Sequence, residues 1–504
     1  MPSLTLKSGF FIIIYLTKKV NLIMIYNNLQ QFIKFLEEAG ELRRVSVEVD
    51  PVLEITEIAD RMSKTNGPAL LFENVRGYSF PLLINAFGSY RRMEYALNCN
   101  SLEEISEKLE ANINIQPPKT LTEKIKMLFT LKQVADILPK KVRHAPCQEV
   151  IFDDSGPMLD KLPILTCWPH DGGPFVTLPI VITKDPDSGI QNAGMYRMHK
   201  YDNNTTGMHW QYNKDGTRHF DKYKNLGKRM DVVVALGGSP AVTYAATAPL
   251  PPDIDEYIFA GFINSKPVEI VKAKTVDIMV PAESDFIIEG YVDPEEIKVE
   301  GPFGDHTGFY SPADDYPVFH VTCITCRKDA VYPATIVGKP PMEDCYMAKA
   351  TERLFMPVIK TILPEIIDME LPMEGVFHNC ALVSIDKKFS GHANKVINAL
   401  WGLGQMSSTK FIAVFDDDID LRDSSTVVWK LLNNVDPRRD LIFSQGPLDA
   451  LDHSASYANF GGKMGIDATR KTREEGMGRE WPEEIKMSEE IRALVEKRWK
   501  EYGF

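Results

Sequence analysis

The sequence predicts a mixed α/β chain in three parts: an α/β domain, a β-rich domain more barrel than open sheet, and a second α/β domain. Three observations predict it. Helical and strand periodicities alternate over roughly the first hundred residues. Strand signals broken by Gly-Gly and Pro-rich turns fill the middle of the chain. After Pro340 the alternation returns. A length of 504 residues suits about two to four domains. A composition of 44% hydrophobic and 25% charged residues supports packed cores rather than bulk disorder.

Residues 1–23 hold two short apolar runs separated by Lys18 and Lys19, too short to span a bilayer and without a small-residue cleavage site. They read as a non-native or dispensable extension, because Met24 is followed at once by a domain start, with an amphipathic membrane-touching segment as the lesser reading. From Asn28, Leu29, Phe32, Ile33, Phe35 and Leu36 recur at helical spacing, and Gly40 is a natural stop. A strand over 42–49, a helix over 53–62 and strands over 69–72 and 82–85 follow. A helix over 101–111 opens with a Ser-x-x-Glu capping box. These make an N-terminal α/β domain at 24–112, and 113–145 reads as a helical connector.

The β-rich domain spans 146–345, with strands over 149–152, 175–183, 194–200, 232–236, 242–246, 268–272 and 320–325. The C-terminal domain, 346–504, has a helix over 347–363, a strand over 381–386, a helix over 392–401, a strand over 411–415 and a helix over 424–432. An amphipathic helix over 483–501 (Ile485, Ile491, Leu494, Val495, Trp499) is suited to packing on a partner subunit.

Lys+Arg number 57 against 70 Asp+Glu, a net charge of −13. Such a chain has no global attraction to phosphate backbones or anionic lipid, which argues against nucleic-acid binding. Seven scattered cysteines are not a disulfide framework and read as a reduced, cytoplasmic protein. Cys323 and Cys326 form one C-x-x-C without a second pair at zinc-ribbon spacing. On a strand, residues i and i+3 face opposite ways, so they read as core.

Three clusters inside the β-rich domain carry chemistry: Asn192–Arg197 (NAGMYR) with His209-Trp210 following, then Asp255-Glu256-Tyr257, then 300–308 (EGPFGDHTG). Glu300 and Asp305 have Gly301, Pro302 and Gly304 between them, which excludes a helix and permits a tight loop. They either brace that turn or meet as a coupled pair with one pKa raised, a proton donor usable near neutral pH. Asn192, His209 and Glu256 form a plausible ligand set for a hard divalent cation. Arg197 stands among apolar neighbours, so it either pairs with a carboxylate of the protein or clamps one belonging to a ligand.

Together with 167–173 (CWPHDGG), 244–251 (YAATAPLP), 434–440 (NVDPRRD) and 446–453 (GPLDALDH), these motifs resemble the UbiD family of prenylated-flavin-dependent decarboxylases. The resemblance runs from about residue 27 to 470. It implies an N-terminal α/β domain, a central FMN-binding split β-barrel and a C-terminal α/β domain. It implies a homo-oligomer, dimer or hexamer, with the active site between the first two domains. The implied cofactors are prenylated FMN, delivered by a flavin prenyltransferase, and Mn²⁺ or Mg²⁺, with K⁺ as a further cation.

By motif, Asn192, His209 and Glu256 are the implied metal ligands, and Arg197, Glu300 and Asp305 the implied catalytic trio. Asn192, Met195, Tyr196, Arg197, His209, Trp210, Gln211, Lys214 and Asp215 are the implied cofactor contacts. Asn213 stands where many relatives have histidine, and Asp305 where some branches have glutamate. The implied substrate is an aromatic or α,β-unsaturated acid, closest in flavour to a polyprenyl-hydroxybenzoate or naphthoate of quinone biosynthesis. Membrane contact is expected only for a polyprenylated substrate. A catabolic phenolic-acid decarboxylase is the alternative within the class. An FMN oxidoreductase would leave the Arg-Glu-Asp trio unexplained, and a scaffold subunit would not retain all three clusters.

Overall fold

The computed structural model describes residues 26–113, 136–152, 158–211, 214–251 and 254–504. The extension expected at 1–23, most of the 113–145 connector and Asn213 lie outside the described residues.

The first helix, Leu29–Glu38, starts where Asn28 accepts a hydrogen bond from the Gln31 amide. It buries Leu29, Phe32, Ile33 and Leu36, the face read from the sequence. Leu42–Val45 pairs in parallel with Ala69–Phe72, which pairs antiparallel with Leu82–Ile84. The strand at 42 is shorter than expected; at Val49 only an isolated bridge to Val75 remains. The fourth strand of this sheet, Tyr332–Pro333, comes from far along the chain and fastens the first part to the middle.

The middle is a curled nine-stranded antiparallel sheet. Its order is Phe175–Val176, Met198–Lys200, Thr205–Met208, Asp314–Cys326, Phe286–Glu300, Met230–Leu236, Ile180–Lys184 and Gln191–Met195, with Val150–Phe152 paired to Asp314–Cys326. Cys323 and Cys326 are buried on that strand, as read.

Three local expectations fail for identifiable reasons. The strand expected over 242–246 is a helix, Pro240–Ala245, because Ser239-Pro240 is a helix start and a six-residue apolar run fits either state. The strand expected over 175–183 is two, Phe175–Val176 and Ile180–Lys184, parted around Pro179. The strand expected over 194–200 is also two, Gln191–Met195 and Met198–Lys200, and the residues released between them are Tyr196 and Arg197. The long strand Phe286–Glu300 was masked in the sequence by Asp293-Pro294-Glu295-Glu296, which the structure absorbs as a register shift between Val292 and Ile297.

The C-terminal part is a five-stranded sheet in the order Ile366–Glu370, Cys380–Ile385, Phe411–Asp416, Phe460–Asp467 and Leu441–Pro447. The helices Glu343–Ile362, His392–Trp401 and Ser424–Asn434 match the expected ones. The last helix, Glu489–Arg498, buries none of its residues, and Leu494 is 46% exposed. Among the described residues no helix is long and apolar enough to cross a membrane.

Candidate active site

The break between Met195 and Met198 is where the site begins. The Met195 amide leaves its ladder to donate to the Ala246 carbonyl (3.0 Å), and the His209 amide donates to the Arg197 carbonyl (3.3 Å). This loosened segment turns the Arg197 side chain toward the end of the strand Phe286–Glu300. Glu300 is fully buried there. Gly301 then takes φ +88°, a left-handed turn that suits glycine, and the chain enters a short hairpin, Phe303–Gly304 against Tyr310–Ser311. Asp305 and His306 sit in its turn.

Arg197 is tied on every side. Its Nε donates to Glu300 Oε1 (2.8 Å) and its Nη2 to Glu300 Oε2 (3.2 Å), a two-point grip, and its Nη1 donates to Asp305 Oδ2. Nη2 also donates to Ser311 Oγ (3.0 Å), and the guanidinium lies 4.5 Å over the Phe303 ring. His209 Nδ1 lies 3.2 Å from Glu300 Oε2, its ring against Tyr316 at 4.4 Å. Asp305 Oδ1 accepts from the His306 amide (2.8 Å) and lies 2.9 Å from His306 Nδ1.

The loop brings both carboxylates to one spot, but a cation lies between them, and the charge pattern differs from a bare pair. Burial pushes the Glu300 carboxyl up, yet its hydrogen bonds to His209 and Arg197 outweigh that and bring it down to about 2. Burial also opposes ionisation of Asp305, and His306 with Arg197 overcomes it and holds that carboxyl below its usual range. The expectation that one of the two is raised is therefore overturned in this state. Burial lowers His306, and Asp305 more than restores it, so His306 is held above the usual imidazole range.

Earlier on the strand that ends before Arg197, Asn192 Nδ2 donates to Glu256 Oε1 (2.6 Å) and the Ala193 amide to Glu256 Oε2 (2.9 Å). Glu256 opens the helix Glu256–Asn264, behind an Asp255 cap. Burial raises its carboxyl to about 8. Asn192 Oδ1 is buried with no hydrogen-bond partner among the described residues. An orphaned amide oxygen beside a desolvated carboxylate is a donor set that fits a hard divalent cation. The structure pairs Asn192 with Glu256 but turns the His209 Nδ1 to Glu300.

Of the expected cofactor contacts, Met195, Tyr196, Arg197, His209 and Gln211 line one cavity; Asn192, Trp210, Lys214 and Asp215 do not. Trp210 is buried, its Nε1 without a partner among the described residues, and Tyr196 Oη accepts from the Gly216 amide (3.4 Å). Asp215 pairs with Arg218 in the first turn of the helix Asp215–Leu226, and Lys214 stands at its N-cap. The lining also includes His306 and, from the C-terminal part, Leu451. His306 was in view, one place after Asp305, and Leu451 lay within the 446–453 (GPLDALDH) motif, both without a role.

Profiles of the 3-octaprenyl-4-hydroxybenzoate carboxy-lyase family match in chain order: the N-terminal domain over 33–110, the Rift-related domain over 140–340 and the C-terminal domain over 345–468. The chain is a UbiD-family carboxy-lyase. It is similar to an uncharacterized protein of Archaeoglobus fulgidus, 50% identical over 480 residues, covering 95% of this chain and 99% of that one. Among solved structures it is similar to the UbiD-class enzyme HmfF from Pelotomaculum thermopropionicum in complex with FMN, with a TM-score of 0.78 and 30% identity over 91% of this chain and 97% of that one. It is also similar to the vanillic acid decarboxylase of Sedimentibacter hydroxybenzoicus in closed form, with a TM-score of 0.81 and 26% identity over 94% and 99%.

In this UbiD chain the CWPHDGG motif has a visible use. The Gly172 amide donates to the Pro302 carbonyl (2.7 Å), and Asp171 Oδ1 accepts from the Gly304 amide (2.7 Å), so the motif pins the loop carrying both acids. A Cβ at Gly172 would stand 2.1 Å from the Gly301 carbonyl oxygen. Gly172→Ala is therefore expected to fold but displace that loop, lowering kcat about a hundredfold. Steady-state rates beside a thermal melt check this; an unchanged rate in a folded variant counts against the pinning.

Proposed function

We propose that this chain catalyses non-oxidative decarboxylation of an aromatic or α,β-unsaturated acid, with prenylated FMN and Mn²⁺ or Mg²⁺. The favoured substrate is a 3-polyprenyl-4-hydroxybenzoate or naphthoate of quinone biosynthesis. The observation that carries the reading is the Arg197 guanidinium held between Glu300 and Asp305 at the wall of the cavity. The likeness to vanillic acid decarboxylase favours a second reading, a phenolic-acid decarboxylase. The three matched blocks read as three folding units, the curled middle sheet as a split β-barrel. The exposed last helix reads as a contact between copies in a cytoplasmic homo-oligomer.

Loss of CO₂ from an sp² carbon strands an electron pair that no side chain can store; prenylated FMN supplies that sink when bound. This chain's residues orient and protonate. Arg197 turns its grip to the substrate carboxylate, and Glu300 keeps that guanidinium aligned. As Arg197 shifts, Asp305 loses part of its positive surroundings, its proton affinity rises, and it becomes the acid that delivers the proton replacing CO₂. Asn192 and Glu256, with His209 when its ring turns away from Glu300, would hold the cation that neutralises the flavin phosphate.

Co-expression with a flavin prenyltransferase, an absorbance spectrum and a screen of aromatic acids for CO₂ release test the reading. An intact protein that takes up no flavin overturns it. Glu256→Ala is expected to purify without flavin absorbance, and a fully loaded variant removes Glu256 from the cation site.

A further inference from the structure

Decarboxylation consumes a proton: R–CO₂⁻ and H⁺ give R–H and CO₂. Each turnover therefore leaves Asp305 one proton short, and Asp305 is only 5% exposed. Its described polar contacts are Arg197 on Oδ2 and His306 on Oδ1. A guanidinium does not give up its proton in a protein, whereas an imidazole does so readily. Whatever recharges Asp305 through these contacts passes through His306.

The far side of that ring leads out of the middle sheet. His306 Nε2 lies 2.8 Å from Nε2 of His378, in the loop between the turn Met373–Gly375 and the strand Cys380–Ile385. Val376 and Phe377 take left-handed backbone there (φ +45° and +51°), which bulky side chains resist. The result stacks Phe377 on the His306 ring at 5.3 Å and presents His378 to it. Half-buried Asp449 completes the cluster, its carboxylate and the two imidazoles offering atoms within 4.8 Å of one another. Two nitrogens bridged by a tetrahedral divalent ion at ordinary bond lengths stand about 3.3 Å apart. At 2.8 Å they share a proton instead.

We propose that His306 and His378 form a proton relay that recharges Asp305 from the C-terminal part of the chain, entering beside Asp449. The inference rests on the decarboxylase reading. A proton on His378 Nε2 passes to His306 Nε2 as the Nδ1 proton of His306 passes to Asp305 Oδ1. His378 and His306 end neutral and Asp305 ends as the acid; His306 then returns to its Nδ1–H form by tautomer exchange through water, losing the proton on Nε2 and gaining one on Nδ1. No electron or further reactant is involved. The surroundings favour the first of these transfers, from His378 to His306: His306 faces Asp305, Asp344 and Asp449 and is held above its usual range, while the transfer on to Asp305 becomes favourable as Arg197 shifts away. Burial depresses His378 to about 4, although Asp449 and Asp452 face it. Arg197, on the other oxygen of Asp305, sets the opposing charge. Both histidines act through Asp305 and are positioning residues.

The test uses the flavin-loaded enzyme with whichever of vanillate, 3,4-dihydroxybenzoate and 4-hydroxybenzoate the wild type decarboxylates. His378→Gln is expected to lower kcat about ten- to a hundredfold, with KM little changed. The loss steepens as pH rises, the solvent deuterium isotope effect grows, and added imidazole restores part of the rate. His306→Asn keeps an N–H toward Asp305 but has no second nitrogen, and it is expected to show the same pH and isotope signature. A wild-type pH profile and isotope effect in both variants overturns the relay. A second arm needs no turnover: in ¹⁵N-histidine-labelled protein, coupled titration of the two rings supports the relay and independent titration overturns it. Absence of CO₂ from all three acids, by contrast, counts against the phenolic-acid reading alone, and the titration arm then decides the relay.

Discussion

Asp305→Asn is expected to lower kcat for CO₂ release by about a hundredfold to ten-thousandfold while the flavin spectrum and the melting temperature stay close to wild type. The asparagine fills the same space, and its Oδ1 still accepts from Arg197 or from the His306 amide. What disappears is a group that can carry a proton to the substrate carbon. Because binding contacts survive, the loss falls on kcat rather than KM. Glu300→Gln is the companion. Glu300 grips Arg197 at two points, and the amide replaces one acceptor with a donor, so this loss appears in substrate alignment as well. A diagnostic readout is exchange of product ring hydrogen with solvent deuterium, which needs the proton donor but no net loss of CO₂. Near-normal exchange and turnover by Asp305→Asn would falsify its role as donor.

The sequence made the three-part order legible because apolar periodicity is a local property. The helix Leu29–Glu38 and the helix His392–Trp401 each carry a one-sided apolar stripe and recognisable ends, and both fall where the pattern puts them. It failed where two states bury the same residues. The segment Pro240–Ala245 is wholly buried, so its apolar run carries no face information, and only Ser239-Pro240 tells helix from strand. The break at Tyr196-Arg197 is invisible to alternation because it is imposed from outside, by the Ala246 carbonyl taking the Met195 amide.

The site divides along the same line. That Glu300 and Asp305 converge could be read from the glycines between them. That both are held ionised could not, because the causes are His209 on Glu300 and His306 on Asp305 together with Arg197, which stands 103 residues before Glu300 in the chain and lies between the two. His378 is further from any local signal, 72 residues beyond His306 and on a different sheet-bearing part of the fold.

That interleaved cation is also the point where removal is most costly. Arg197→Met keeps much of the side chain's bulk but strips the charge from two buried carboxylates, and it is expected to abolish measurable turnover and to destabilise the fold by about 3–5 kcal/mol. The pH dependence gives the sharper discriminator. In the wild type, Glu300 is brought down to about 2, below its unfolded value of about 4.3. The stability it contributes is complete above the unfolded value and lost only as pH falls through about 2. Without Arg197, burial stays the largest influence on each acid, opposed by His306 on Asp305 and by His209, still 3.2 Å away, on Glu300, and it is expected to outweigh both. Their folded pKa values then move above the unfolded ones, and stability is complete in acid and lost as pH rises. Glu256, raised to about 8, makes both midpoints fall between about pH 4.5 and 8, so the gap between the wild-type and variant midpoints should widen across that range. A gap that stays constant across that range would mean that something other than Arg197 carries the counter-charge for these two acids.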